Sequence, residues 1–197
     1  MGGGAIVSAH GESDLVQWPT TSGMSTSRES RSGASIASII EITRLNLGCC
    51  DRHEPRSSGW LNVDICQPAD FLADLTAPWP WPTSSIREIK AHDIIEHLPN
   101  KIHTMNELHR VLVPGGHVSI IVPSTSGAGA WCDPQHCSYW NLASFAYYEH
   151  NAYAHERLKV SYGIEACFKV LRLVEVEDSS HRCRVWKIEA TLEAVKA

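Results

Sequence analysis

Apolar residues along this chain gather into short runs broken by Gly, Pro and Asn, but only after about Ser35. Residues 1–35 are rich in Gly, Ser and Thr and carry no apolar periodicity, a composition that does not repay the entropy of ordering. They are expected to form a disordered leader. Met24 is an alternative start, and Arg28 and Arg31 suggest a transit peptide that Glu12, Asp14 and Glu29 argue against. Residues 34–42 read as a short apolar helix or lead-in. Short apolar runs at 43–47, 60–64, 70–74 and 86–92 read as strands, and 117–123 is a continuous apolar run suited to a strand covered on both faces. Residues 78–82, Pro-Trp-Pro-Trp-Pro, form a rigid loop because proline removes ladder donors and fixes φ.

Ile102, Met105, Leu108 and Val111 or Leu112 share one helical face over 102–112, and Pro114-Gly115-Gly116 stops that helix. His109 and Arg110 stand in its last turn, favourably against the helix dipole. A second helix is expected over 144–155. Alternating stretches at 169–177 and 184–192 suit an antiparallel pair closing the sheet. The pattern predicts a Rossmann-like, doubly wound, mostly parallel sheet with a C-terminal antiparallel strand pair. It would form one three-layer α/β/α domain over 36–197.

Composition narrows the function. The 197 residues include 43% hydrophobic and 20% charged side chains, close to globular averages. The net charge of −5 leaves no basic footprint, so nucleic acid is not an expected partner. No apolar run reaches the roughly 18 residues of a membrane helix, so no membrane span is expected. With no secretory signal in view, the seven cysteines read as reduced cytoplasmic thiols. Eleven histidines raise the question of a metal, but His92 and His97 do not have helix-pair spacing. Cys132 and Cys137 flank His136 without a second Cys/His pair, so no metal site is expected.

In a doubly wound sheet, ligands bind at the carboxyl ends of the strands near the switch in strand order. Polar residues stand at four such ends: Asn46-Leu-Gly48-Cys49-Cys50-Asp51, then Asp64, then Asp74-Leu75, then His92-Asp93-Ile-Ile-Glu96-His97. Asp64 suits the hydroxyls of a ribose, although a carboxylate at a strand end also serves as a helix cap.

These strings, with Arg110-Val-Leu-Val-Pro-Gly-Gly116 and Ile95-Glu-His-Leu98, resemble the class I S-adenosylmethionine-dependent methyltransferases. The subgroup they look like is the small type 11 enzymes. The resemblance runs from Arg44 to Leu192 and implies S-adenosylmethionine as the cofactor. It implies that Gly48, with Asn46 and Cys49, contacts the methionine part of the donor. Asp64 with Ile65 would hold the ribose, Asp74 and Leu75 would flank adenine, and His92 and Asp93 would face the sulfonium and acceptor. Two departures stand out. Cys50 replaces the second glycine of the family's turn, and its side chain crowds the donor if that position needs φ > 0. Only fifteen residues separate Gly48 from Asp64, so the first crossover helix is short or absent.

Trp131-Cys-Asp133-Pro-Gln-His136-Cys-Ser-Tyr-Trp-Asn141 resembles a segment that overhangs the site in related enzymes. Methyl transfer from a sulfonium needs chiefly alignment, with a base where the acceptor must lose a proton. His136, His97 and His92 are the candidate bases, with Asp93 or Glu96 orienting them. The chain lacks an Asn/Asp-Pro-Pro-aromatic string and a Pro-Cys nucleophile. The acceptor is therefore expected to be a small molecule, a glycan or lipid precursor, or a protein side chain. The rival readings are a non-catalytic donor-binding scaffold and a dinucleotide-dependent oxidoreductase. The oxidoreductase lacks its Gly-x-Gly-x-x-Gly string.

Overall fold

The computed structural model describes residues 42–151, 156–179 and 185–196. The expected leader, and all but the last residue of the 34–42 lead-in, lie outside them. Seven strands form one sheet: β1 (Arg44–Leu47), β2 (Trp60–Asp64), β3 (Phe71–Leu72), β4 (Ile86–His92), β5 (Leu112–Pro123), β6 (Phe168–Asp178) and β7 (Val185–Ala194). Their spatial order is β3-β2-β1-β4-β5-β7-β6. Strands β1 to β5 are parallel, while β7 runs antiparallel to both β5 and β6. This is the Rossmann-like sheet with an antiparallel C-terminal pair that the pattern predicts, and its order reverses between β1 and β4.

The parallel strands share one continuous apolar face: Leu45, Leu61, Ile89 and Val118 stand in register across it, as do Leu47, Val63, Ala91 and Ile120, all at most 2% exposed. The alternate positions are polar, with Asn46, Asn62, Lys90 and Ser119 in register, so the cover on both faces expected of 117–123 is not met: there buried Val118, Ile120 and Val122 alternate with exposed His117 and half-buried Ser119 and Ile121. The crossing from β1 to β2 is a single 3-10 turn, Arg56–Ser58, in keeping with the short spacing between Gly48 and Asp64. Helix α1 (Lys101–Val111) starts on Asn100, whose side chain accepts the His103 amide at 3.0 Å. Its buried face is Thr104, Met105, Leu108 and Val111, so the expected periodicity holds apart from Ile102, which stays partly exposed.

Two boundaries differ from the sequence expectation. Pro114-Gly115-Gly116 does not separate helix from strand but lies inside β5 as a bulge. Ile86 pairs with Leu112 and Glu88 with His117, so two steps on β4 face five on β5. Proline cannot donate to the ladder, and Gly115 takes φ +74°. The helix expected over 144–155 is instead a 3-10 helix, Leu142–Tyr148. Asn141 and Ser144 cap it reciprocally, and its buried residues, Phe145 and Tyr148, stand three apart, the period of that tighter helix. Residues 152–155 lie outside the described residues. Two further helices are short, α2 (Gly129–Cys132) and α3 (Glu156–Tyr162).

The Pro-Trp loop is irregular, as expected, but its tryptophans are core: Trp79 and Trp81 are 4% and 1% exposed. Arg110 holds them. Its guanidinium donates to Trp79 O at 3.0 Å and Trp81 O at 2.9 Å, and it pairs with Glu107, which also accepts the Trp79 amide at 2.8 Å. Arg110 therefore does more than oppose the helix dipole. None of the six described cysteines is in a disulfide. No described helix is long and apolar enough to cross a membrane.

Candidate functional site

The turns that follow β1, β2, β3 and β4 enclose a cavity of about 150 Å³. It is lined by Gly48, by Asp64 and Ile65, by Ala73 to Thr76, and by Ile94, His97 and Leu98. Five of the residues singled out from the sequence as donor contacts therefore meet in one place: Gly48, Asp64, Ile65, Asp74 and Leu75. The location is the carboxyl edge of the sheet, at the reversal of strand order.

The turn after β1 is built by Gly48 and Asp64. Gly48 has φ +63°, and a Cβ there would lie 2.7 Å from Ile94 Cβ, so the backbone passes against that side chain with no room for one. Asp64 Oδ2 accepts the Cys50 amide at 2.9 Å, and Oδ1 accepts the Ile65 amide at 2.7 Å. Partial burial pushes the Asp64 carboxyl up, but the amides of Cys50, Ile65 and Cys66 outweigh it and hold the carboxyl below its ordinary value. The residue is thus an anion at neutral pH. Asp74 is likewise held low by its hydrogen bonds from the Thr76 hydroxyl and amide. Ile65 is 71% exposed and presents an apolar surface beside these two carboxylates.

Cys50 has φ +44°, the positive value that makes a non-glycine residue costly. Cys50→Gly is expected to stabilise the fold by about 1 kcal/mol, a rise of roughly 2–4 °C in melting temperature. Thermal melts of both proteins check this, and an unchanged or lower melting temperature would mean that the cysteine fits the turn without strain.

Other residues singled out from the sequence are not among those lining the cavity. The Asn46 side chain turns to Arg52 O at 2.7 Å and Asn62 Oδ1 at 2.9 Å, tying β1 to β2. Cys49 is 1% exposed, and burial, with the nearby Asp64 charge, pushes its thiol up to about 11. His92 Nε2 meets Ser119 Oγ at 2.9 Å across β4 and β5, and burial lowers its pKa. Asp93, at φ +53°, turns to a separate groove where it pairs with Arg52 and Lys187 at 3.5 and 3.4 Å.

His97 and His136 are brought together. His97 lines the cavity, and the His136 ring packs edge-to-face on it with centroids 4.9 Å apart. His136 Nδ1 is 3.2 Å from Ala130 O. Glu96, beside them, is 2% exposed, and burial pushes its carboxyl up to about 8. Sequence reasoning missed Ile94 and Leu98 as walls; the apolar residues flanking Glu96-His97 were the available signal. In the segment that carries His136, Trp131 and Tyr139 stack at 4.5 Å, with Trp131 59% exposed.

No family model matches the sequence, and no curated protein sequence does. Solved structures do match in shape. The cyclase SpnF superposes with a TM-score of 0.55 at 12% identity, over 80% of this chain and 76% of that one. The 1,6-didemethyltoxoflavin-N1-methyltransferase of Burkholderia thailandensis, solved with bound 1,6-didemethyltoxoflavin and S-adenosylhomocysteine, gives 0.53 at 11% identity, over 78% and 71%. An S-adenosylmethionine-dependent methyltransferase from Methanosarcina mazei gives 0.50 at 12% identity, over 80% and 94%. The chain therefore has the class I S-adenosylmethionine-dependent methyltransferase fold.

Proposed function

We propose that this protein is an S-adenosylmethionine-dependent methyltransferase of the small type 11 kind, acting in the cytoplasm on an acceptor still to be identified. The observation that carries the reading is the convergence of Gly48, Asp64, Ile65, Asp74 and Leu75 on one cavity at the switch in strand order. A carboxylate has about four lone-pair positions, so Asp64 can hold its turn and still accept from ribose hydroxyls. Ile65 and Leu75 offer apolar surface to adenine, with Asp74 at its edge. The cavity is smaller than a full ligand cleft of roughly 300–1,000 Å³, so it suits the nucleoside, with the methionine part lying along the Gly48–Cys50 backbone.

Methyl transfer would then be an in-line displacement on the sulfonium, in which the protein supplies alignment. His97, at the cavity wall and backed by His136, is the side chain placed to take a proton from an acceptor. His92, bonded to Ser119, is not.

Calorimetric titration with S-adenosylmethionine, S-adenosylhomocysteine and NAD tests the reading. The two sulfur compounds are expected to bind and NAD is not. Binding of NAD alone would sink it.

A second reading, donor binding without methyl transfer, is favoured by the strained Cys50 turn and by SpnF, a cyclase of this fold. Donor binding with no methylated product across a broad acceptor panel would select it.

A further inference from the structure

The turn that carries Glu96 and His97 and the segment that carries His136 are locked to each other through the main chain. The amides of Cys137 and Ser138 both donate to Glu96 O, at 2.9 and 3.0 Å. Ser138 Oγ donates to Ile95 O at 2.8 Å. The three side chains are thereby gathered so that one donor atom of each lies within 4.8 Å of the others.

Their hydrogen bonding leaves polar atoms without partners around the centre. Glu96 is buried, and its Oε2 has no hydrogen-bond partner among the described residues, an arrangement that native interiors rarely leave uncompensated. His136 Nδ1 faces the Ala130 carbonyl, which can only accept, so Nδ1 carries the hydrogen. In the neutral ring Nε2 is then an acceptor, and Glu96 Oε1 and Asp133 Oδ2 lie 4.0 Å from it, too far for a hydrogen bond. A cation shared by these atoms would give the histidine nitrogen and the buried carboxylate a partner. Neighbouring ligands on a tetrahedral ion with bonds of about 2.0–2.1 Å stand roughly 3.4 Å apart, so rotations that draw the donors in by about an ångström would close the site. A histidine ligand whose other ring nitrogen is held by a backbone carbonyl is the usual supporting arrangement.

We propose that Glu96, His97 and His136 bind a divalent first-row transition-metal ion, with zinc the expected one and Asp133 within reach as a further ligand. The residue spacing concealed the site, because His136 lies 39 positions beyond His97 and no Cys/His pair repeats. The site borders the candidate donor cavity through His97. An ion held there would act on an acceptor hydroxyl as a Lewis acid in place of the free imidazole, a consequence that rests on the methyl-transfer reading. The binding of the ion does not rest on it.

The test is titration of the chelator-treated full chain with zinc, kept under reductant, and separately with cobalt(II). One zinc ion per chain is expected, with a rise in melting temperature on saturation. Cobalt should give visible d–d absorption without the near-ultraviolet charge-transfer band of a thiolate ligand. His97→Ala, His136→Ala and Glu96→Gln are each expected to weaken zinc binding by more than about 100-fold. A Cys132→Ser/Cys137→Ser variant should bind as the parent does. Circular dichroism shows which variants fold; His97, half-buried where Glu96 is buried, carries the test if the other two do not. No zinc binding by the folded parent, binding unchanged in His97→Ala, or binding lost with the cysteines would each overturn the site. S-adenosylhomocysteine affinity is read on the same samples. Loss of the metal site with donor binding intact therefore leaves the methyltransferase reading standing.

Discussion

Gly48→Ala is expected to lower the melting temperature by about 5–15 °C, from a cost of about 2–4 kcal/mol. Two terms add. The residue sits at φ +63°, a conformation that alanine adopts only with strain. The new Cβ would also approach Ile94 Cβ and Cγ1 to 2.7 Å, and both atoms belong to the stiff, branched root of that side chain rather than to a flexible end. Gly115→Ala is the internal control. Gly115 has a similar φ of +74°, but nothing lies within 4 Å of its added Cβ. It should show the backbone cost alone, about 1 kcal/mol. The difference between the two variants measures the clash, and Ile94→Ala in the Gly48→Ala background should recover part of it. Equal melting temperatures for Gly48→Ala and Gly115→Ala would mean that the β1 turn does not press on Ile94.

Asp64→Ala is expected to weaken S-adenosylhomocysteine binding at least tenfold, since a hydrogen bond to a charged group is worth about 1.5–3 kcal/mol. On the proposed donor placement, the variant loses the acceptor for the ribose. It also loses the brace on the Cys50 and Ile65 amides, so the turn after β1 loosens. Asp64→Asn separates these roles, because its carbonyl oxygen can still accept a backbone amide. Its melting temperature should fall less than that of Asp64→Ala.

The pH dependence has a definite sign. The folded carboxyl is held below its ordinary value of 3.8, so the stability it contributes is fully present above that value. It is lost as the pH falls through the lower folded value. The melting-temperature deficit of Asp64→Ala should therefore be constant from pH 5 to 7, within the flat region above about 4, and shrink in stronger acid. Normal donor affinity in Asp64→Ala would remove this residue from the proposed donor site.

The parallel strands were legible in the sequence because one face of each is fully buried, which sets apolar residues at alternate positions: Leu45 and Leu47, Leu61 and Val63, Ile89 and Ala91. Residues 43–47, 60–64 and 86–92 read correctly to within a residue for that reason. The strained turn at Cys50 was legible too, since a close approach after a first strand selects for glycine and this chain departs from it. Helix 144–155 was misread because apolar and aromatic residues at 142–148 fit either helical period. The choice fell to the Asn141–Ser144 cap and to the burial of Phe145 and Tyr148. The Pro114-Gly115-Gly116 stop was misplaced because a bulge exists only relative to the strand it faces.

Local sequence by itself determined which residues stand at strand ends; the tertiary structure decided which of them share a cavity. Asn46, Asp64 and His92 look alike in sequence, each polar and each at or near the end of a strand. The strand register puts all three on the same face of the sheet, and different partners capture them there: Asn62 and Arg52 for Asn46, Ser119 for His92, and the turn amides for Asp64. The Glu96, His97 and His136 cluster lies furthest from the reach of sequence. It depends on two main-chain hydrogen bonds into Glu96 O from residues 41 and 42 positions away, and no local pattern encodes a contact made only when the sheet is complete.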